Sequence, residues 1–64
     1  MTIKECRKSK GLSCVQIAFK MGIPLLKYEE YENDSSEMSI PDAKKFSKIV
    51  GVSYDDIFFG NNSI

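Results

Sequence analysis

The residues with the most distinctive chemistry in this 64-residue chain are two cysteines, Cys6 and Cys14. A structural zinc site takes four ligands, mostly cysteine and histidine, and the sequence contains no histidine. There is also no glycine-rich phosphate loop and no nucleophile with a plausible general base. The residues therefore predict neither an enzyme nor a metal site nor a bound cofactor, and we interpret both thiols as reduced.

Charge is the second chemical feature, and it is distributed unevenly. The total is zero, but residues 1–20 hold five basic side chains and one acidic one, which gives +4 there and −4 over residues 21–64. The apolar runs are too short to span a bilayer, and residues 1–10 lack the apolar block of a signal peptide. We expect a cytoplasmic protein that makes no membrane contact.

Capping residues and glycines divide the chain into five predicted helices. Thr2 with Glu5 and Ser13 with Gln16 match the capping box, in which two side chains satisfy the first backbone N–H groups of a helix. Glycine follows three of the helical segments, as is common at helix C-termini. The predicted helices span residues 2–10, 14–21, 24–33, 41–50 and 53–59. Because no strand pattern of useful length is present, the predicted fold class is all-α.

These helices are expected to form one compact domain over residues 1–60, followed by a short flexible tail at residues 61–64. Apolar side chains that repeat at helical spacing provide its core. The predicted core residues are Ile3, Cys6, Leu12, Ile17, Ala18, Met21, Ile23, Tyr28, Tyr31, Ile40, Ala43, Phe46, Ile49, Val52, Ile57 and Phe58.

The second and third predicted helices meet at Met21-Gly22-Ile23. Gly22 can take a positive φ and close the second helix, while Pro24 suits the first turn of the third because it lacks an N–H. Two helices joined by so tight a turn form the helix-turn-helix pattern.

Further residues extend this pattern on both sides of the turn: Arg7, Gly11-Leu12, Ile17-Ala18, Tyr31-Glu32-Asn33, Gly51-Val52-Ser53 and Asp55-Asp56-Ile57-Phe58. With the turn, they resemble the Cro and lambda-repressor type helix-turn-helix domain over residues 3–59. The resemblance implies a compact five-helix domain whose third helix lies in the major groove of DNA, usually as a dimer on a two-fold site.

The resemblance also implies roles for individual residues. Arg7 and Glu32 match an arginine and a glutamate that form a structural ion pair between the first helix and the end of the third. Residues that would contact DNA lie at the start of the second helix and along the third. These candidates are Cys14, Gln16, Pro24, Leu25, Leu26, Lys27, Glu29, Glu30 and Asn33.

The predicted DNA-facing side of the third helix has an unusual composition. At about 100° per residue, the outward side holds Leu25, Leu26, Glu29, Glu30 and Asn33, and the inward side holds Pro24, Tyr28 and Tyr31. Carboxylates there oppose binding to phosphates. Base reading stays possible, because a glutamate can accept from cytosine N4 and a leucine can contact a thymine methyl group.

Four apolar residues around the turn raise a second possibility. Val15 and Phe19 lie one turn apart on the second helix, and Leu25 and Leu26 follow across the turn. Exposed, they would form a surface for another regulatory protein; alternatively, Phe19 folds back over the small core.

Two functions therefore stay open at this point. The first is a small bacterial or phage transcriptional regulator that binds operator DNA through the third helix, and we favour it because of the resemblance. The alternative is a helix-turn-helix fold that modulates another regulator with weak or no DNA binding, as the acidic and apolar third helix suggests.

Homodimerisation is expected through the C-terminal end. Ile57 and Phe58 suffice to cover the core, which leaves Tyr54, Phe59 and Ile64 as an apolar edge for a second copy of the chain.

Overall fold

The computed structural model describes residues 1–59, which form four α-helices and two short 3₁₀ helices. The α-helices are α1 (Ile3–Ser9), α2 (Cys14–Met21), α3 (Leu25–Asn33) and α4 (Ile40–Val50). The 3₁₀ helices are Ser35–Glu37, which joins α3 to α4, and Tyr54–Asp56, which follows α4. The predicted all-α class is confirmed for these residues, whose one β-type contact is an isolated bridge between Thr2 and Phe58.

Both predicted capping boxes are present. The Thr2 hydroxyl accepts a hydrogen bond from the Glu5 N–H at 3.1 Å, and the Ser13 hydroxyl accepts one from the Gln16 N–H at the same distance. Each cap satisfies a backbone N–H that has no partner inside its own helix. These local interactions explain why α2 begins at the predicted residue and α1 begins one residue after its prediction, with Thr2 as its N-cap.

The predicted fifth helix at residues 53–59 is wrong. Only Tyr54–Asp56 is helical, as a single 3₁₀ turn, and the Ser53 side chain makes no capping hydrogen bond. The chain is already extended at Ile57, and the Phe58 N–H donates to the Met1 carbonyl at 2.6 Å. A segment this short gains too few helical hydrogen bonds to offset nucleation, so its backbone pairs with the start of the chain instead.

The buried apolar side chains of the described residues form one cluster in which every α-helix takes part. Its members are Ile3, Cys6, Ile17, Ala18, Met21, Tyr28, Tyr31, Met38, Ala43, Phe46, Val50 and Ile57. The predicted core residues Leu12, Ile23, Ile49 and Val52 are partly buried and pack against this cluster.

Met38 and Val50 belong to the core although neither was predicted there. Met38 lies in the connection between α3 and α4, where no periodicity indicates which side chains are buried. Ile40 was predicted in the core and is exposed instead. As the first residue of α4, it lies to one side of the face that Ala43 and Phe46 bury.

The burial of the two phenylalanines at the end of the described chain is the reverse of the prediction. Ile57 is buried, Phe58 is exposed, and Phe59 packs against the core with its ring centroid 5.3 Å from that of Tyr54. Side chains of an extended segment point alternately to opposite sides, whereas a helix was assumed in the prediction. The predicted tail at residues 61–64, including Ile64, and Gly60 before it lie outside the described residues.

Candidate nucleic-acid interface

Backbone geometry fixes the turn between α2 and α3. Gly22 has φ 73° and ψ 31°, in the left-handed region, and the Ile23 N–H donates to the Ala18 carbonyl at 3.0 Å. Glycine reaches this region without the steric cost that other residues meet. Pro24 is the N-cap of α3, with φ −63° and ψ 148°, so the helix begins at Leu25, one residue later than predicted. Pro24 is also exposed rather than inward-facing.

Two buried tyrosines hold the inner face of α3 against α4. The ring centroid of Tyr28 lies 6.4 Å from that of Phe46, and the Tyr31 hydroxyl donates to Asp42 Oδ2 at 2.9 Å. Burial raises the pKa of both phenols, and their hydrogen bonds to carboxylates raise it further. Rotation of α3 about its axis would break these contacts, so its outer face has a fixed direction.

A single carboxylate oxygen ties the end of α3 to α1. Arg7 Nε donates to Glu32 Oε2 at 2.7 Å, and the Tyr28 hydroxyl donates to the same oxygen at 2.6 Å. Arg7 also donates through Nη1 to the Leu12 carbonyl at 2.8 Å. The hydrogen bond to Glu32 raises the pKa of the Arg7 guanidinium. The ion pair that the resemblance implies is thus present.

The outer face of α3 carries five exposed side chains, all of which were predicted to face DNA: Leu25, Leu26, Glu29, Glu30 and Asn33. Leu26 is 73% exposed and Leu25 37%. Within residues 1–59, neither Glu29 nor Glu30 forms an ion pair or a side-chain hydrogen bond. We call these five residues the α3 outer face, and no side chain among the described residues neutralises its two carboxylates.

Two lysines make contacts within the domain, and both are still exposed. Lys27 Nζ lies 5.3 Å from the centroid of the Tyr31 ring, within range of a cation–π contact. Lys45 Nζ donates to the Met21 carbonyl at 3.3 Å and so satisfies a terminal carbonyl of α2. The Lys45 contact was not predicted, because the spacing of the lysines on α4 indicates only a solvated face.

The candidates at the start of α2 are less available than those on α3. Cys14 is partly buried and packs against the core. Gln16 is exposed, but its Oε1 accepts from the Ser13 N–H at 2.8 Å, which leaves its amide nitrogen as a donor. Among the described residues, no group of cysteine and acidic side chains could hold a metal ion. No helix there is long and apolar enough to cross a membrane.

The apolar residues around the turn are exposed. Phe19 is 85% exposed, so the interpretation that it folds back over the core is wrong. Val15, one turn earlier on α2, is exposed as well, and so are Leu25 and Leu26, which follow the turn in the sequence. We call these four residues the apolar surface.

Of the residues predicted for a dimer contact, Tyr54 is partly exposed and Phe59 packs inward. Phe58, which was predicted in the core, is exposed beside them in the chain. Tyr54 and Phe58 are therefore the apolar side chains that this end of the described chain presents.

Comparison with known proteins agrees with this geometry. A family model described as helix-turn-helix matches residues 3–57. The chain is also similar to the SPbeta prophage-derived uncharacterized HTH-type transcriptional regulator YonR of Bacillus subtilis (strain 168), with 36% identity over 61 residues. The aligned part covers 95% of this chain but only 56% of that protein. No solved structure matches the chain.

Proposed function

Because this chain belongs to the helix-turn-helix family, we propose that it binds operator DNA through α3 and regulates transcription as a homodimer in the cytoplasm. The observation that carries the proposal is the α3 outer face. Tyr28 and Tyr31 hold the opposite side of the helix in the core, so the outer face projects as one rigid surface of a width that a major groove accepts. The similarity to a protein named as a transcriptional regulator supports the regulatory role.

We assign the whole of residues 1–60 to the DNA-binding domain and residues 61–64 to a tail. The second copy is proposed to pack on Tyr54 and Phe58, the apolar side chains left exposed at the end of the described chain. A two-fold contact between identical patches is isologous, and it would present two copies of α3 to two half-sites about one turn of DNA apart.

The electrostatics predict selective but weak DNA binding. Phosphate neutralisation supplies most non-specific affinity, whereas Glu29 and Glu30 place negative charge toward the duplex. Phosphate contacts then come from residues around the outer face, such as the Gln16 amide and the Lys27 ammonium. Random DNA should therefore bind poorly, and affinity should depend on the base sequence.

Selection from random DNA tests the proposal. The protein is incubated at low salt with a pool of random duplexes, binding is followed by fluorescence anisotropy, and bound sequences are recovered and enriched. We expect enrichment of a two-fold symmetric sequence. A protein that enriches no sequence at low salt would contradict the proposal.

One observation favours a second function, binding to another regulatory protein. Phe19 is the most exposed large apolar side chain among the described residues, and exposed apolar patches of this kind mark partner surfaces. The acidic α3 outer face would then have no role in DNA binding. Loss of a co-purified regulatory protein on Phe19→Ser, together with no sequence enrichment by the wild type, would favour this function over the first.

A further inference from the structure

The α3 outer face contains two pairs of residues in which a leucine precedes a glutamate by four positions. Leu25 pairs with Glu29, and Leu26 pairs with Glu30. Residues four apart lie on the same side of a helix, one turn from each other. Leu26 is 73% exposed whereas Leu25 is 37% exposed, so Leu26 is the leucine that projects further from the domain, and Glu30 is the exposed carboxylate one turn after it.

We propose that Leu26 and Glu30 determine the base sequence of the operator half-site by contacting one thymine and one cytosine. The inference rests on the DNA-binding function proposed above. Leu26 contacts the C5-methyl group of the thymine, and Glu30 accepts a hydrogen bond from the N4 amino group of the cytosine.

The carboxylate of Glu30 selects cytosine mainly by rejecting the other bases. A carboxylate offers acceptors only, and in the major groove guanine presents N7 and O6 and thymine presents O4, which are acceptors too. Adenine presents a donor at N6 but an acceptor at N7 beside it, whereas cytosine presents the N4 donor without an acceptor of its own. Cytosine is thus the base that best satisfies this side chain.

Rejection of the other bases is strong here because no residue in the described part of the chain neutralises the charge of Glu30. Among residues 1–59 it has no ion pair, and the neighbouring Lys27 lies over the Tyr31 ring instead. At a site without cytosine, the carboxylate would face base acceptors and phosphates while losing its water. The same charge that weakens binding to random DNA therefore sharpens the choice of sequence.

Helix geometry sets the separation of the two bases. Four residues advance about 6 Å along an α-helix, and base pairs are stacked about 3.4 Å apart, so the two contacts fall about one to two base pairs apart if α3 lies along the groove. The hydrogen bonds of Glu32 to Arg7 on α1 and of Tyr31 to Asp42 on α4 prevent α3 from rotating, so both side chains stay on its outer face.

Selection from random duplexes with matched variants tests the proposal. The wild type should enrich a cytosine within about two base pairs of a thymine, each favoured at least about fivefold. Glu30→Gln should change the preferred cytosine to adenine, because glutamine pairs with adenine N6 and N7. Glu37→Gln, which removes the same charge from an exposed residue outside α3, should leave every base preference unchanged.

A methyl deletion in the DNA tests Leu26 separately. Replacing the selected thymine by deoxyuridine removes only the C5-methyl group and should weaken wild-type binding about fourfold, the value of one buried methylene-sized group. Leu26→Ala should bind both duplexes equally. If the wild type enriches a sequence whose base preferences survive both Glu30→Gln and Leu26→Ala, this inference is overturned while DNA binding stands. If the wild type enriches nothing, the proposed function fails as well.

Discussion

The Arg7 guanidinium and the Glu32 carboxylate, 25 residues apart in the chain, meet at 2.7 Å with side chains only 10% and 14% exposed. The Tyr28 hydroxyl adds a second donor to the same Glu32 oxygen. Exposed ion pairs contribute less than about 1 kcal/mol, because water screens them and both side chains lose freedom. This pair is largely removed from water, so deletion of one partner leaves the other charge unpaired.

We therefore expect Arg7→Ala and Glu32→Ala each to lower the free energy of unfolding by about 3 kcal/mol. Urea denaturation of the two variants measures this directly. Lys8→Ala is the matched control, since it removes the same charge from an exposed position of the same helix and should cost less than about 0.5 kcal/mol. If Arg7→Ala were no more costly than Lys8→Ala, the pair would have no stabilising role.

The raised pKa of the Tyr28 phenol leads us to expect a loss of stability at alkaline pH. Burial, and then the hydrogen bond to Glu32, raise its pKa above the ordinary value of 10.0. Above that pH the unfolded chain releases the proton and the folded chain keeps it, so the equilibrium shifts toward unfolding. The contribution of Tyr28 is complete below pH 10 and decreases steadily above it, by up to about 1.4 kcal/mol per pH unit.

Urea midpoints at about pH 8 and about pH 11 for the wild type and Tyr28→Phe test this linkage. At the lower pH the variant should be less stable, because Glu32 loses a hydrogen-bond donor. From the lower to the higher pH, the urea midpoint of Tyr28→Phe should decrease by less than that of the wild type. Equal losses in both proteins would exclude Tyr28 as a source of the pH dependence.

Local signals predicted both ends of α2 at the correct residues, because a capping motif stands at each end of the helix. The Ser13 and Gln16 capping box marks the start, and Gly22 in the left-handed conformation marks the end. Ser53 with Asp56 has the same spacing as this capping box and was part of the reason for predicting a fifth helix, yet the Ser53 side chain makes no capping hydrogen bond. The Phe58 N–H bonds to Met1, at the other end of the described chain, and no local pattern reveals that contact.

At the candidate interface, too, the local features could be predicted from the sequence, whereas the contacts between distant parts of the chain could not. The inward tyrosines and outward glutamates of α3 follow from helical periodicity, which the sequence shows. The bond from Lys45 to the Met21 carbonyl depends on how α4 packs beside the turn, and periodicity does not give that. The exposure of Phe19 was open for the same reason, since only tertiary packing decides whether a side chain at the end of a short helix is covered.

A dimer contact at Tyr54 and Phe58 predicts that Phe58→Ser weakens self-association. Phe58 is 47% exposed in the monomer, so the substitution should lower the free energy of unfolding by no more than about 1.5 kcal/mol while removing apolar contact area between copies. Sedimentation at tens of micromolar measures the oligomeric state. Ile40→Ser, which removes an exposed apolar side chain from α4, should leave the dimer intact. A monomeric wild type, or equal effects of both substitutions, would contradict this contact.

The acidic α3 outer face predicts a shallow dependence of DNA binding on salt. Each neutralised phosphate contributes about −0.9 to the slope of log K against log salt, and few cations border this face. We expect a slope no steeper than about −4 for the selected operator, and Lys27→Ala should reduce it by about 1. Anisotropy titrations across a series of salt concentrations give both values. A slope near −10 would mean that many phosphates are contacted elsewhere on the domain.

Because the ring of Phe19 is exposed, we expect it to contribute little to the stability of the domain. Because the side chain is 85% exposed, Phe19→Ser should change the free energy of unfolding by less than about 0.5 kcal/mol. Phe46→Ser, at a fully buried ring, should cost at least about 3 kcal/mol and serves as the contrast. If DNA binding is the function, Phe19→Ser should also keep the wild-type affinity for the selected operator, because Phe19 is not part of the α3 outer face. Denaturation and anisotropy on the same variant give both results, and a large loss of stability would mean that the Phe19 ring packs against the domain in solution.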